Sequence, residues 1–203
     1  MIKLAEARDD DTGKHIERTK TFCKLLATEL QRYPKYKESM DDTFVENIYN
    51  ASPLHDVGKI AIPDSILLKP GKLTVEEFEV MKTHTSIGEK YLKEAYCESK
   101  TNKFLKMGIE IAGSHHEKWD GSGYPRGLSE RDIPLSARIM AIVDVYDALR
   151  SRRVYKEPFS HTKSVTIILE GRKKHFDPII LDAFLNIEDL VREAFDTLNV
   201  TEI

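Results

Sequence analysis

The stretch Leu54-His55-Asp56-Val57-Gly58-Lys59 sets an imidazole and a carboxylate side by side, with a lysine three residues beyond the aspartate. It lies among segments that share one period, and that period decides the fold. Immediately upstream, Phe44, Ile48, Ala51 and Leu54 form a helical stripe that Asp41 or Asp42 can cap. The helix delivers His55-Asp56 at its C-terminal end, where Pro53 bends or shortens the last turn. Chemically, an imidazole beside a carboxylate can hold a metal ion, the carboxylate can bridge to a second ion, and the ammonium can meet a phosphate oxygen. By itself the pair is equally a surface ion pair or a helix cap, so the rest of the chain must supply further ligands.

Outward from this stretch the helical period recurs. Ile16, Cys23, Leu26 and Leu30 mark an amphipathic helix over residues 12–33, stopped by Pro34, with His15 in its first turn. Residues 58–73 hold two prolines and two glycines without a sustained period and read as a loop over the site. Thr74 and Glu77 make a capping box for a helix through Val75, Phe78 and Met81 that ends near His84. A further helix over 87–96 precedes a polar surface connection at 98–102. Residues 103–116 carry Leu105, Ile109 and Ala112 on one face and end at His115-His116, followed by an irregular Gly-rich loop from Trp119 to Gly127. Pro134 precedes a helix over 135–149, apolar on most sides and therefore buried and central, which carries Asp144 and Asp147. Ser160 caps a helix to 169, and short helices over 179–185 and 188–198 close the chain. No segment alternates with period two, so the expected architecture is all-α, a single compact domain over 1–203 with its core at about 6–178.

A chain of 203 residues, 40% hydrophobic and 32% charged, can bury a substantial core. Its net charge of -3 excludes a nucleic-acid duplex as the main partner, while leaving room for a small phosphate ligand in a local basic pocket. Cys23 and Cys97 form no CxxC pair, which argues against a disulfide framework or a thiolate zinc site and for a reducing cytoplasm. No apolar run is long enough to span a bilayer and the N-terminus has no signal-peptide core, so the chain reads as soluble, with no membrane partner.

The candidate ligands in chain order are His15, His55, Asp56, His84, His115, His116 and Asp144. Histidine and carboxylate without thiolate suit Fe, Mn, Ni, Co or Zn better than Mg or Ca, and the set exceeds what one ion needs. His115 and His116 can share an ion only where the helix loosens, as the glycines after them allow.

These motifs resemble the HD-GYP domains of the HD phosphohydrolase superfamily over most of the chain. The resemblance is carried by Arg8-Asp9 with Thr12-Gly13 and His15, by His55-Asp56-Val57-Gly58-Lys59-Ile60 with Ile62-Pro63-Asp64, and by Lys69-Pro70-Gly71-Lys72-Leu73. His84, the block from His115 through Gly121-Ser122-Gly123-Tyr124-Pro125, and Asp144-Val145-Tyr146-Asp147-Ala148-Leu149 complete it. It implies a helical domain with a metal centre buried between helices and a cytoplasmic phosphodiesterase that opens cyclic di-GMP to pGpG, with GMP as a further product. The implied attack on phosphorus is by a hydroxide bridging two metals, iron first and manganese next. Asp56 would bridge, with His15, His55 and Asp144 on one side and His84, His115 and His116 on the other, around ions about 3.5 to 4 Å apart.

The resemblance further implies that Asp56 and Lys59 are catalytic, with Lys59 on the scissile phosphate. Tyr124 would line the substrate pocket, and Asp147, Arg153 and Lys156 would hold guanine or phosphate groups. Asp11 stands where a glutamate often stands in members with three metals, and its shorter side chain leaves two and three ions both open. Two departures from the family pattern are Val154 in place of a proline before Tyr155-Lys156 and Lys173 in place of the second glycine ahead of His175-Phe176-Asp177-Pro178. The alternatives are a slow or inactive cyclic-dinucleotide receptor, a module that binds a diguanylate cyclase domain through the Gly-Tyr-Pro loop, and a phosphohydrolase of another nucleotide. A regulatory domain ahead of the motif is also expected of the family, and the oligomeric state stays open.

Overall fold

A computed structural model describes residues 14–97, 101–152 and 157–199. Apart from an isolated bridge between Arg172 and Phe176, the regular structure of the described residues is helical. Helix α1 (Lys14–Leu30) is the hub. It buries His15, Arg18, Thr19, Phe22, Cys23, Leu26, Ala27 and Leu30, a stripe at spacings of three and four that fits a single helical face. Against it pack α2 (Asp42–Ala51) and α6 (Leu135–Arg150), together with α8 (Pro178–Asn186) and α9 (Glu188–Asn199). Phe22, Tyr146, Phe184 and Phe195 meet in the core between these helices, with Tyr146 edge-on to the other three rings.

Several local expectations hold. Asp41 caps α2 by accepting from the Phe44 amide at 2.7 Å, and α6 is buried on most sides as its composition required. At the start of α4 (Val75–Cys97) the Thr74–Glu77 capping box is closed in both directions, by the Thr74 amide to Glu77 at 2.7 Å and the Glu77 amide to Thr74 at 3.2 Å. Helix α7 (His161–Glu170) starts at Ser160.

Two expectations are corrected. The helix expected to end near His84 and the one expected from 87 are a single helix, α4, with His84 in its middle. It runs on because Thr85, Gly88 and Leu92 continue its buried face. The presumed loop at 58–73 contains a 3-10 turn at Val57–Ala61 and the short helix α3 (Asp64–Leu67), too brief to show a period in sequence. Helix α4 packs along α5 (Lys103–Ser114) and beneath the Val57–Ala61 turn. Leu54, Val57, Leu92 and Ala112 seal this second, smaller apolar cluster.

Candidate metal centre

The His-Asp pair sits at the junction of two 3-10 turns. His55 closes Ser52–Leu54, and Asp56 opens Val57–Ala61 with φ −103 and ψ 10. This junction lies directly on α4. A Cβ on Gly58 would fall 1.9 Å from the His84 carbonyl oxygen and 2.6 Å from the Gly88 amide nitrogen, so only glycine permits the contact. The close approach brings Asp56 against His84, and α1, α5 and α6 supply the remaining side chains. His15 comes from the first turn of α1, His115 and His116 from the C-terminal end of α5, and Asp144 from α6.

The potential ligands fall into two groups, each with donor atoms within 4.8 Å of one another. One is Asp56, His84, His115 and His116, and the other is His15, His55 and Asp144. Asp56 joins them. Its Oδ1 lies 3.3 Å from His84 Nε2 and 3.7 Å from His115 Nε2, while Oδ2 lies 3.2 Å from His55 Nε2. His15 Nε2 and His55 Nε2 face each other at 3.4 Å, a separation that calls for a proton or a cation between the two lone pairs.

The outer ring nitrogens are committed elsewhere. His55 Nδ1 donates to the Ser52 carbonyl at 2.9 Å, His84 Nδ1 to Met81 at 2.7 Å and His115 Nδ1 to Ile111 at 3.0 Å. His15 Nδ1 donates to Asp147 Oδ2 at 2.7 Å. Holding Nδ1 as the donor points each Nε2 inward, as metal-binding histidines require. Asp56 Oδ1, His84 Nε2 and His115 Nε2 are buried without a hydrogen-bond partner. Buried polar atoms are rarely left so, and a cation among them would satisfy all three. The donor set therefore fits transition-metal ions.

The imidazoles differ in their electrostatics. Burial drives the His115 imidazole down to about 3 and holds those of His84 and His116 below their ordinary value. At His55 burial acts in the same direction, but the Asp56 and Asp144 carboxylates outweigh it and push its pKa up to about 9. Burial opposes the Asp56 carboxylate, yet the Lys59 ammonium and the neighbouring imidazoles hold it well below the usual range.

The expected substrate residues are placed less uniformly. Lys59 reaches the site's edge but its Nζ sits 2.8 Å from Asp56 Oδ2. Tyr124 lies over His116, with ring centroids 4.8 Å apart and planes at 31°. Asp147, expected from the resemblance to hold guanine or phosphate, is engaged here with protein groups. It is 1% exposed, and its oxygens accept from His15, from both Nε and Nη2 of Arg18, and from Ser151 Oγ at 3.3 Å. It stands behind His15, on the ring nitrogen opposite Nε2. Asp11, Arg153 and Lys156 lie outside the described residues.

Arg18 and Glu117 were not singled out from sequence. Arg18 is 4% exposed and neutralises Asp147. Its one legible signal was its place three residues after His15, on the same helical face. Glu117, also buried, accepts from the Arg126 amide at 2.8 Å and the Leu128 amide at 3.0 Å, pinning the return of the Gly-rich loop. Arg126 in turn reaches Glu89 on α4 at 2.8 Å.

A family model described as HD domain matches residues 1–180. The chain belongs to the HD domain family. Its HD-GYP motifs are borne out by curated relatives of this HD domain. A cyclic di-GMP phosphodiesterase of Vibrio cholerae is 54% identical over 189 residues, covering 93% of this chain and 38% of the relative. A cyclic di-GMP phosphodiesterase of Thermotoga maritima is 44% identical over 192 residues, covering 95% of this chain and 49% of the relative. The HD domain thus spans under half the length of these curated relatives. Among solved structures, a cyclic GMP-AMP specific phosphodiesterase of Vibrio cholerae superposes with a TM-score of 0.60 at 16% identity, covering 92% of this chain and 46% of that one, a likeness of fold. No helix among the described residues is long and apolar enough to cross a membrane.

Proposed function

We propose that this HD domain is a metal-dependent phosphodiesterase that hydrolyses cyclic di-GMP to pGpG and onward to GMP. The observation that carries the reading is the pair of ligand groups joined by Asp56, with His84 Nε2, His115 Nε2 and Asp56 Oδ1 buried without hydrogen-bond partners. Relatives over nearly the whole chain that act on cyclic di-GMP support the substrate. Two divalent transition-metal ions, iron first and manganese next, would be held by His15, His55 and Asp144, by His84, His115 and His116, and by Asp56 between the groups. Asp11 is the position for a third. Bound there, such ions supply Lewis acidity toward phosphate oxygens and lower the pKa of water.

The chain's own groups do the rest. Asp56 remains ionised and spans both groups. Lys59, a compact cation at the rim, turns from Asp56 to a phosphate oxygen that gains charge in the transition state. Asp147 and Arg18 hold the His15 ring in its Nδ1-protonated form. Tyr124, over His116, walls the substrate pocket, and Arg153 and Lys156 add positive charge for guanine or phosphate groups. The exposed far side of the same loop offers a surface for a diguanylate cyclase domain.

The test is anaerobic purification, measurement of metal content, and nucleotide chromatography of cyclic di-GMP turnover beside an Asp56→Ala control. Absence of pGpG and GMP from fully loaded protein would sink the enzyme reading, and tight binding without turnover would replace it with a receptor. Cyclic GMP-AMP run in parallel fixes the preference between the two dinucleotides.

A further inference from the structure

Beside the metal centre an aromatic residue stands open to solvent. Phe78 on α4 is 45% exposed, and Val75, one turn earlier on the same face, is 74% exposed. Phe78 is not isolated from the site. Its ring packs edge-on against Tyr124, with centroids 6.1 Å apart and planes at 84°, and Tyr124 in turn lies on His116. A continuous run of rings therefore leads from a candidate ligand to the half-exposed ring of Phe78. Lys82, one turn further along α4, places its Nζ 5.6 Å from the Phe78 ring and 5.7 Å from the Tyr124 ring, tethered to Glu79 at 2.6 Å.

We propose that Phe78, Tyr124 and Lys82 form a purine-base subsite at the mouth of the metal centre, with Phe78 as the stacking platform and Lys82 as a donor to the base edge. The proposal rests on the phosphodiesterase reading for its place in catalysis, though not for the binding it asserts. A half-exposed aromatic ring with an ammonium beside it is chemistry that takes a nucleobase, which stacks without needing a particular hydrogen-bond pattern once the flexible lysine swings to the base edge. The ammonium adds selectivity. Guanine presents two acceptors, O6 and N7, on one edge, whereas adenine replaces O6 with an amino donor, so a lysine there favours guanine.

Calorimetric titration of GMP and AMP into the metal-loaded protein tests this, with Phe78→Ala, Phe78→Trp, Lys82→Met and, as a control on the same helix, Tyr91→Ala. GMP affinity should fall about tenfold in Phe78→Ala, within the range typical of lost base stacking, and be kept in Phe78→Trp. Lys82→Met should narrow the preference for GMP over AMP. With cyclic di-GMP as substrate, the loss in Phe78→Ala should fall on KM rather than kcat. Equal GMP binding by native protein and Phe78→Ala, an equal loss in Tyr91→Ala, or no GMP binding by native loaded protein would each overturn the subsite. If native protein binds GMP through Phe78 yet never cleaves cyclic di-GMP, the phosphodiesterase reading fails and the subsite stands.

Discussion

Asp147→Ala separates a residue that positions a ligand from one that touches substrate. In the native protein the Asp147 carboxylate is 1% exposed and receives Arg18, itself 4% exposed, through Nε and through Nη2 at 2.9 Å. Removing it leaves a buried guanidinium without its counter-charge, which costs about 3–5 kcal/mol in comparable sites. Arg18 would keep Ser151 Oγ at 2.9 Å and Asn199 Oδ1 at 3.0 Å, so the expected value is the lower end, about 3 kcal/mol. Urea unfolding of metal-free protein reads this as a lower midpoint at unchanged slope.

The second consequence is at His15, whose Nδ1 loses the acceptor that fixes its tautomer. Metal affinity should fall about 10- to 100-fold. The pH dependence has a definite sign. Burial opposes the Asp147 carboxylate, but Arg18 and His15 hold it below its ordinary value of 3.8. The stability it contributes is therefore present above that value and lost as pH falls through the lower folded one. Native and variant curves should run parallel at neutral pH and converge only in strong acid. A variant destabilised by less than about 1 kcal/mol, with metal affinity intact and only KM for cyclic di-GMP raised, would refute the reasoning and return Asp147 to the substrate.

Gly58→Ala should cost about 3 kcal/mol, because the new Cβ would fall 1.9 Å from the His84 carbonyl oxygen and neither backbone can yield cheaply; metal content after purification should drop with it. Lys173→Gly should stabilise the protein by about 1 kcal/mol in urea unfolding, since Lys173 holds φ 60, a left-handed conformation that disfavours a side chain. Metal binding should release a proton and strengthen about tenfold per pH unit through the neutral range, because His55, raised to about 9, must deprotonate to coordinate. Titration in two buffers of different ionisation enthalpy measures that release, and a heat independent of buffer would contradict it.

The helical frame was legible because most of the longer segments bury one stripe, and the stripe of α1 repeats at three and four residues as its sequence does. The ligand types were legible as chemistry. Less visible were features that exist only between elements. The seating of the Val57–Ala61 turn on α4 is one: a Cβ on Gly88 would fall 3.2 Å from the Gly58 amide nitrogen, a contact across a helix and a turn. Asp147 lies three residues after Asp144, and the resemblance implied a substrate contact for it. Its contact with Arg18, 129 residues away in the chain, had no signal in the sequence around either residue.

The histidines show the same division within one site. His55, His84 and His115 each donate Nδ1 to a carbonyl three or four residues earlier, so the local helical backbone orients the ring and turns Nε2 inward. For these three, residue type and helical placement carry most of the geometry. His15 takes its acceptor from α6, and a buried carboxylate in that role needs a cation, which Arg18 provides from the same face of α1. Arg18 also donates to Asn199 on α9, at 3.0 Å, so the C-terminal helix is joined through Arg18 and Asp147 to one ligand group. The group containing His55, Asp144 and His15 thus depends on the packing of α1, α6 and α9 together. The other group rests chiefly on α4 and α5 with the turn that bears Asp56. Perturbing α9 should therefore loosen the first group before the second.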